Sequence, residues 1–115
     1  EIIMEKLVSK ITALGVPGLV LLIAVSTSGL AGGAAIVAAL STLGPGGLVG
    51  GIVTLGLIGL IAHGLTEFGV EKISCSVIKE LLKKGETKES ILDKIEKYPI
   101  SKSLKSQLRE VVTSY

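Results

Sequence analysis

The sequence predicts an all-α protein: a glycine-rich apolar helical hairpin or bundle followed by three short amphipathic helices. Three observations carry this. No charged residue occurs from Ile11 to Thr66, a run of 56 in a chain of 115. The apolar stretches inside that run are too long for strands, do not alternate, and are rich in Leu and Ala. Residues 67–115 then hold ten of the twelve Lys and Arg and eight of the ten Asp and Glu, with apolar side chains recurring at helical spacing. The chain therefore divides into a glycine-rich apolar region, 1–66, a candidate membrane-inserting segment or oligomer core, and a charged amphipathic module, 67–115.

The first helix is expected over Ile2 to Leu14, where apolar residues fall at 3, 4, 7, 8, 11 and 14 beside a charged edge. Gly15-Val16-Pro17-Gly18 ends it, because proline disfavours helix in the residue before it and suits the first turn of the next. A secretory leader is a poor fit, since the opening residues carry no net positive charge. Leu19 to Ala24 is a solid apolar run, interrupted by Ser26-Thr27-Ser28-Gly29, and Ala31 to Leu40 reads as a second short helix. Gly44, Pro45 and Gly46 form the expected hairpin turn, combining a fixed φ with residues free to take positive φ. Leu48 to Leu65 follows with one polar ring, His63. At 1.5 Å per residue it is about 27 Å long, near the hydrocarbon thickness of a bilayer.

Glycine at these positions needs a packing reason, because each interior glycine costs a helix about 1 kcal/mol relative to alanine. Fourteen of the fifteen glycines lie between Gly15 and Gly69. Gly29 and Gly33 form one small-xxx-small pair, and Gly47, Gly51 and Gly59 lie with Leu55 along one ridge. Such ridges let two helix backbones approach where no hydrophobic effect drives them together. These five glycines are the expected helix-packing and oligomerisation positions.

In the charged half, Val70, Ile73, Val77, Ile78, Leu81 and Leu82 fill one side of a wheel and Lys72, Lys79, Glu80 and Lys83 the other. Gly85 ends that helix after two lysines placed where the helix dipole favours cations. Thr87 is the expected cap of the next helix, whose stripe is Ile91, Leu92 and Ile95, ending at Tyr98-Pro99. Ser101 caps the last, with Leu104, Leu108, Val111 and Val112 as its stripe. Three helices of this size bury too little apolar surface to offset the ordering of their chain, so the trio is expected to lean on the glycine-rich half, another subunit or a membrane.

Several chemistries have no residues to support them. A single Cys and a single His leave no disulfide framework and no Cys- or His-based metal centre. A net charge of +2 and 3% aromatics give no basis for nucleic-acid binding. The glycine clusters lack the Lys-Ser/Thr of a phosphate loop and the strand and acidic residue of a dinucleotide site. No catalytic constellation, cofactor or small-molecule substrate is expected, and the chain does not read as an enzyme. His63, with Glu67 one turn on, is either a pH-sensitive gate or a boundary histidine meeting water or headgroups. Cys75 reads as a buried, inert thiol on the edge of the apolar arc. Lys79, Lys83 and Lys84 are candidate contacts to anionic lipid, although the alternating glutamates favour a solvated face.

Two classes of function remain. One is a membrane-associating or membrane-inserting helical protein that self-assembles through glycine ridges, in the extreme a pore-forming or membrane-permeabilising effector or toxin. Its partners would be a lipid membrane and copies of itself, as a membrane resident or as a cytoplasmic form triggered to insert. Lysines flank the apolar stretch on both sides and are absent from the Pro45 turn, which puts the charged C-terminal half on the cytoplasmic side. The alternative is a soluble all-α interaction or oligomerisation module with a tight Gly/Ala-rich core.

Overall fold

The computed structural model describes residues 2–44 and 52–115. It is all-helical across them, with α1 at Ile2–Ala13, α2 at Val16–Ser41, α3 at Ile52–Phe68, α4 at Val70–Lys83, α5 at Lys88–Lys97 and α6 at Lys102–Thr113. The expected hairpin residues Pro45 and Gly46, and Gly47 and Gly51 of the expected ridge, lie outside the described residues.

The organising element is α2, which touches all five other helices. It starts at Val16 with Pro17 in its first turn, where the missing N–H costs nothing. Every residue from Val16 to Val25 is buried. A helix apolar on all sides must be enclosed on all sides, by protein or by lipid. Here it is enclosed by amphipathic helices: Met4, Leu7, Val8 and Ile11 of α1, and Ile73, Val77, Ile78 and Leu81 of α4, turn inward, as do Ile91 and Ile95 of α5 and Leu104, Leu108 and Val112 of α6. The charged trio thus leans on the glycine-rich half, as its small core requires. Ile3 is the exception in the α1 stripe, 59% exposed.

The expected break in the 19–40 region falls at Gly29, which has φ 67° and ψ −157° inside α2. Beyond it the burial pattern changes. Only Gly33, Ile36 and Leu40 are buried, spaced as one face of a helix that lies against α3.

The charged half follows its sequence signals closely. After α4 the Gly85 N–H donates to the Leu82 carbonyl and the Glu86 N–H to the Leu81 carbonyl, both at 3.1 Å. Gly85 takes φ 107° there, the positive-φ C′ residue of a Schellman ending. At the start of α5 the Ser90 N–H donates to Thr87 Oγ1 (3.0 Å) and the Thr87 N–H to Ser90 Oγ (2.8 Å), a reciprocal capping box. Ser101 Oγ accepts from the Leu104 N–H at 3.1 Å and caps α6.

Glu86 ties the α4–α5 turn to α5. Its carboxylate accepts from Ser90 Oγ at 2.6 Å and from Lys94 Nζ, and its side chain is 17% exposed. Burial pushes this carboxyl up, but the Lys94 and Ser90 hydrogen bonds and the Lys94 charge more than offset that, holding it below its ordinary value of 4.5. A carboxyl depressed in the folded state stabilises the fold fully above its unfolded pKa, and that contribution is lost as pH falls through the lower folded value. Denaturant midpoints should therefore fall below about pH 4.5 more steeply in the wild type than in Glu86→Gln. Identical acid limbs for the two proteins would show that Glu86 is not a source of the acid sensitivity.

Candidate functional site

The region to which sequence and structure both direct attention is the second arm of α2, residues 30–41, with its neighbour α3. These two helices contain no charged side chain before Glu67. They are also incompletely covered. Leu30 is 59% exposed and Leu60 38%, with Ala31, Ala34, Ala35, Ala38, Gly56 and Gly59 exposed beside them, and Leu43, just past the end of α2, is 40% exposed. By length and composition α2 is long and apolar enough to cross a membrane, the one such helix among the described residues.

The glycines predicted to mediate helix packing do different things. Gly33 is a true close approach: a Cβ there would lie 2.8 Å from Val25 Cγ2 and 3.2 Å from Ile58 Cγ2 of α3. Gly29 and Gly59 have no atom within 4 Å of where a Cβ would sit, so neither mediates a contact within this molecule. At Gly29 the backbone explains the glycine, since its φ and ψ fall in a region open essentially to glycine alone. At Gly59 neither conformation nor contact explains it.

Two glycines outside the predicted ridges make closer approaches. A Cβ on Gly18 would lie 2.0 Å from the Ile11 carbonyl oxygen, so the first turn of α2 rests on the α1 backbone. A Cβ on Gly64 would lie 2.3 Å from Leu7 Cδ2. Neither belongs to a glycine pair at i±4: Gly18 carried only the signal of the Gly15–Gly18 break, and Gly64 is a glycine inside a helical run without a local reason.

His63 Nε2 lies 3.8 Å from Glu67 Oε1, with side chains 62% and 56% exposed. The two side chains lie one turn apart on the same exposed face, where solvent screening leaves such a pair little strength. Lys83 Nζ pairs with Glu80 Oε2 at 3.3 Å. Lys79 and Lys84 line a pocket of about 380 Å³ between α1 and α4, with Glu5 and Glu80 among its walls. The three lysines thus share one end of α4, with carboxylates close by.

Cys75 corrects the sequence reading. It is exposed, and Ser74 occupies the buried position instead, its hydroxyl donating to the Glu71 carbonyl at 3.2 Å. That internal bond lets a small polar side chain enter the core without an orphaned hydroxyl. Cys75 lines an open cleft of about 1080 Å³ between α4 and α6, among Phe68, Val70, Ile78, Val111 and Tyr115. At the mouth of this cleft Lys72 Nζ stands 5.6 Å from the Phe68 ring centroid.

No known protein family, curated protein or solved structure matches this chain.

Proposed function

We propose that this chain is a membrane-associating helical protein whose closed bundle shields its most apolar segment from water and whose second α2 arm and α3 engage lipid. The observation that supports the reading best is the pairing of a charge-free, fully enclosed helix with a charge-free, exposed continuation of the same helix. A soluble bundle ordinarily places charges on its outward helix faces, as α4, α5 and α6 do here. The outward faces of residues 30–41 and 56–62 carry leucine, alanine and glycine instead, with Ser41 at the end of α2. Lipid satisfies such a surface and tolerates no charge on it.

Self-assembly is the second part of the proposal. Gly59 is exposed, with open space over it, on the apolar face of α3, and a small residue there permits close approach by a helix from another copy. Permeabilisation is the extreme form of this behaviour. The Lys79, Lys83 and Lys84 group would add attraction to anionic lipid, of about 1 kcal/mol per basic residue before its acidic neighbours reduce it. His63 and Glu67 would stand at the boundary between the apolar face and water.

The alternative, a soluble oligomerisation module, is favoured by one specific observation. Among the described residues no buried side-chain polar atom lacks a hydrogen bond, so the closed bundle is self-consistent in water.

Flotation with lipid vesicles separates the two. The protein should float with both zwitterionic and anionic vesicles, more strongly with anionic ones, and resist extraction by carbonate. A sharp monomeric peak in plain buffer with no flotation would reject the membrane reading. Gly59→Leu should leave the monomer as stable as wild type or more so, since leucine is the better helix former by about 0.8 kcal/mol. It should also reduce the oligomer detected by cross-linking on vesicles. Unchanged oligomer yield would remove Gly59 from the assembly surface.

A further inference from the structure

We propose that Gly29 is a hinge on which α2 changes between the broken form seen in the closed bundle and a single straight helix that crosses a bilayer. This rests on the membrane reading above and adds the conformational step which that reading needs.

Length is the first ground. As helices, residues 16–28 and 30–41 are about 20 Å and 18 Å long, and neither reaches across a hydrocarbon core of about 30 Å. Joined, the 26 residues of α2 measure about 39 Å, enough to cross with tilt. The closed molecule measures 33 Å along its longest axis, so a straight α2 is longer than the molecule itself. Breaking the helix lets the first arm lie enclosed while the second lies against α3.

Conformation is the second. Gly29 adopts φ 67°, ψ −157°, and no atom lies within 4 Å of a Cβ built there. Space does not demand a glycine at this position; only the backbone of the broken form does. A straight helix would accept almost any residue.

Two of the polar residues before the hinge, Ser26 and Thr27, suit both forms. Ser26 Oγ donates to the Ile23 carbonyl at 2.7 Å, and Thr27 Oγ1 donates to the Ile23 and Ala24 carbonyls at 3.0 and 3.3 Å. These bonds run back along the first arm and survive straightening, so the two hydroxyls stay satisfied in lipid. The medium then selects the form. In water the break keeps Val16 to Val25 enclosed, and the first amides of the second arm, which lack intrahelical acceptors, can be hydrated. In hydrocarbon those amides have no water, and continuous helical bonding across residue 29 is the way to satisfy them. No titration is required.

Amide exchange and one substitution test the hinge. In wild type the amides of Leu30 to Gly32 should exchange rapidly in buffer and be slowed at least about a hundredfold on vesicles of mixed zwitterionic and anionic lipid, as helical bonding closes across Gly29. Gly29→Ala strains the broken form and favours the straight one, so it should raise the ratio of vesicle-bound to free protein about tenfold. Thr87→Ala, which weakens the bundle through the α5 cap and lies outside α2, is the matched control and should raise that ratio far less. Equal binding by Gly29→Ala and Thr87→Ala would overturn the hinge, as would rapid exchange of Leu30 to Gly32 in bound wild type. The exchange result stands even if Gly29→Ala fails to fold. Wild type that never binds vesicles would overturn the membrane reading and the hinge together. Bound wild type with residues 30–32 still exchanging freely would overturn the hinge alone.

Discussion

Gly18→Ala is expected to destabilise the bundle by about 3 kcal/mol or more, the upper range for overpacking a core. The new methyl group would lie 2.0 Å from the Ile11 carbonyl oxygen and 3.0 Å from its carbon. Both are backbone atoms of α1, and that carbonyl already accepts from the Leu14 N–H at 3.1 Å in the turn ending the helix. Neither partner can move by rotating a side chain, so α1 and α2 must separate. Separation uncovers Leu7, Ile11, Leu19 and Leu22, all nearly inaccessible to water in the closed form. Gly64→Ala provides the contrast. Its methyl meets Leu7 Cδ2, the free end of a flexible side chain, at 2.3 Å. A rotamer change relieves part of that clash, and alanine regains about 1 kcal/mol of helix propensity. Urea denaturation should therefore rank Gly18→Ala well below Gly64→Ala, with Gly59→Ala at or above wild type. A Gly18→Ala protein as stable as wild type would mean that α1 does not rest on α2 at this point.

Lysine at Leu30 or Leu60 is expected to leave the fold intact and remove most membrane binding. Both leucines are substantially exposed, and lysine is a good helix former, so the closed bundle has little reason to object. Lipid has a strong one. A lysine in place of leucine near the centre of a spanning helix costs about 3–4 kcal/mol on the insertion scale, a factor of several hundred in partition. A lysine held near the headgroups costs less, because its ammonium can reach water. Circular dichroism and denaturant midpoints should match wild type while vesicle flotation falls by at least about tenfold. Lysine at the enclosed Leu21 should do the opposite of sparing the fold, because it buries an unpaired charge among α2's neighbours. If Leu30→Lys and Leu60→Lys bind vesicles as wild type does, that face does not meet lipid.

The charged half was legible almost residue by residue, because amphipathic spacing names the inward face before any partner is known. Thr87, Ser101 and Gly85 likewise mark helix ends through local hydrogen bonds that the sequence encodes directly. The apolar half was less legible for a physical reason. From Val16 to Val25 every side is apolar, so no periodicity reveals which neighbour covers which face. The break after Ser28 was readable from its polar residues and glycine, while its geometry and its role as a boundary between enclosed and uncovered arms were not. Gly18 and Gly64 owe their importance to Ile11 and Leu7, partners on another helix, and no spacing rule within one helix points to them. Cys75, expected inside, is exposed, and Ser74 takes the buried position, where one bond to the Glu71 carbonyl satisfies its hydroxyl.

The central claim, that lipid covers the exposed apolar face, is most directly tested by a single tryptophan placed at Leu60. The chain contains no other tryptophan, so the emission belongs to that site alone. With saturating vesicles the account predicts a blue-shifted emission quenched by lipids brominated along their acyl chains, while a tryptophan at the exposed Ser103 of α6 stays unquenched. Leu60→Trp emission that remains at the wavelength of a water-exposed indole, unquenched by those lipids, would contradict it.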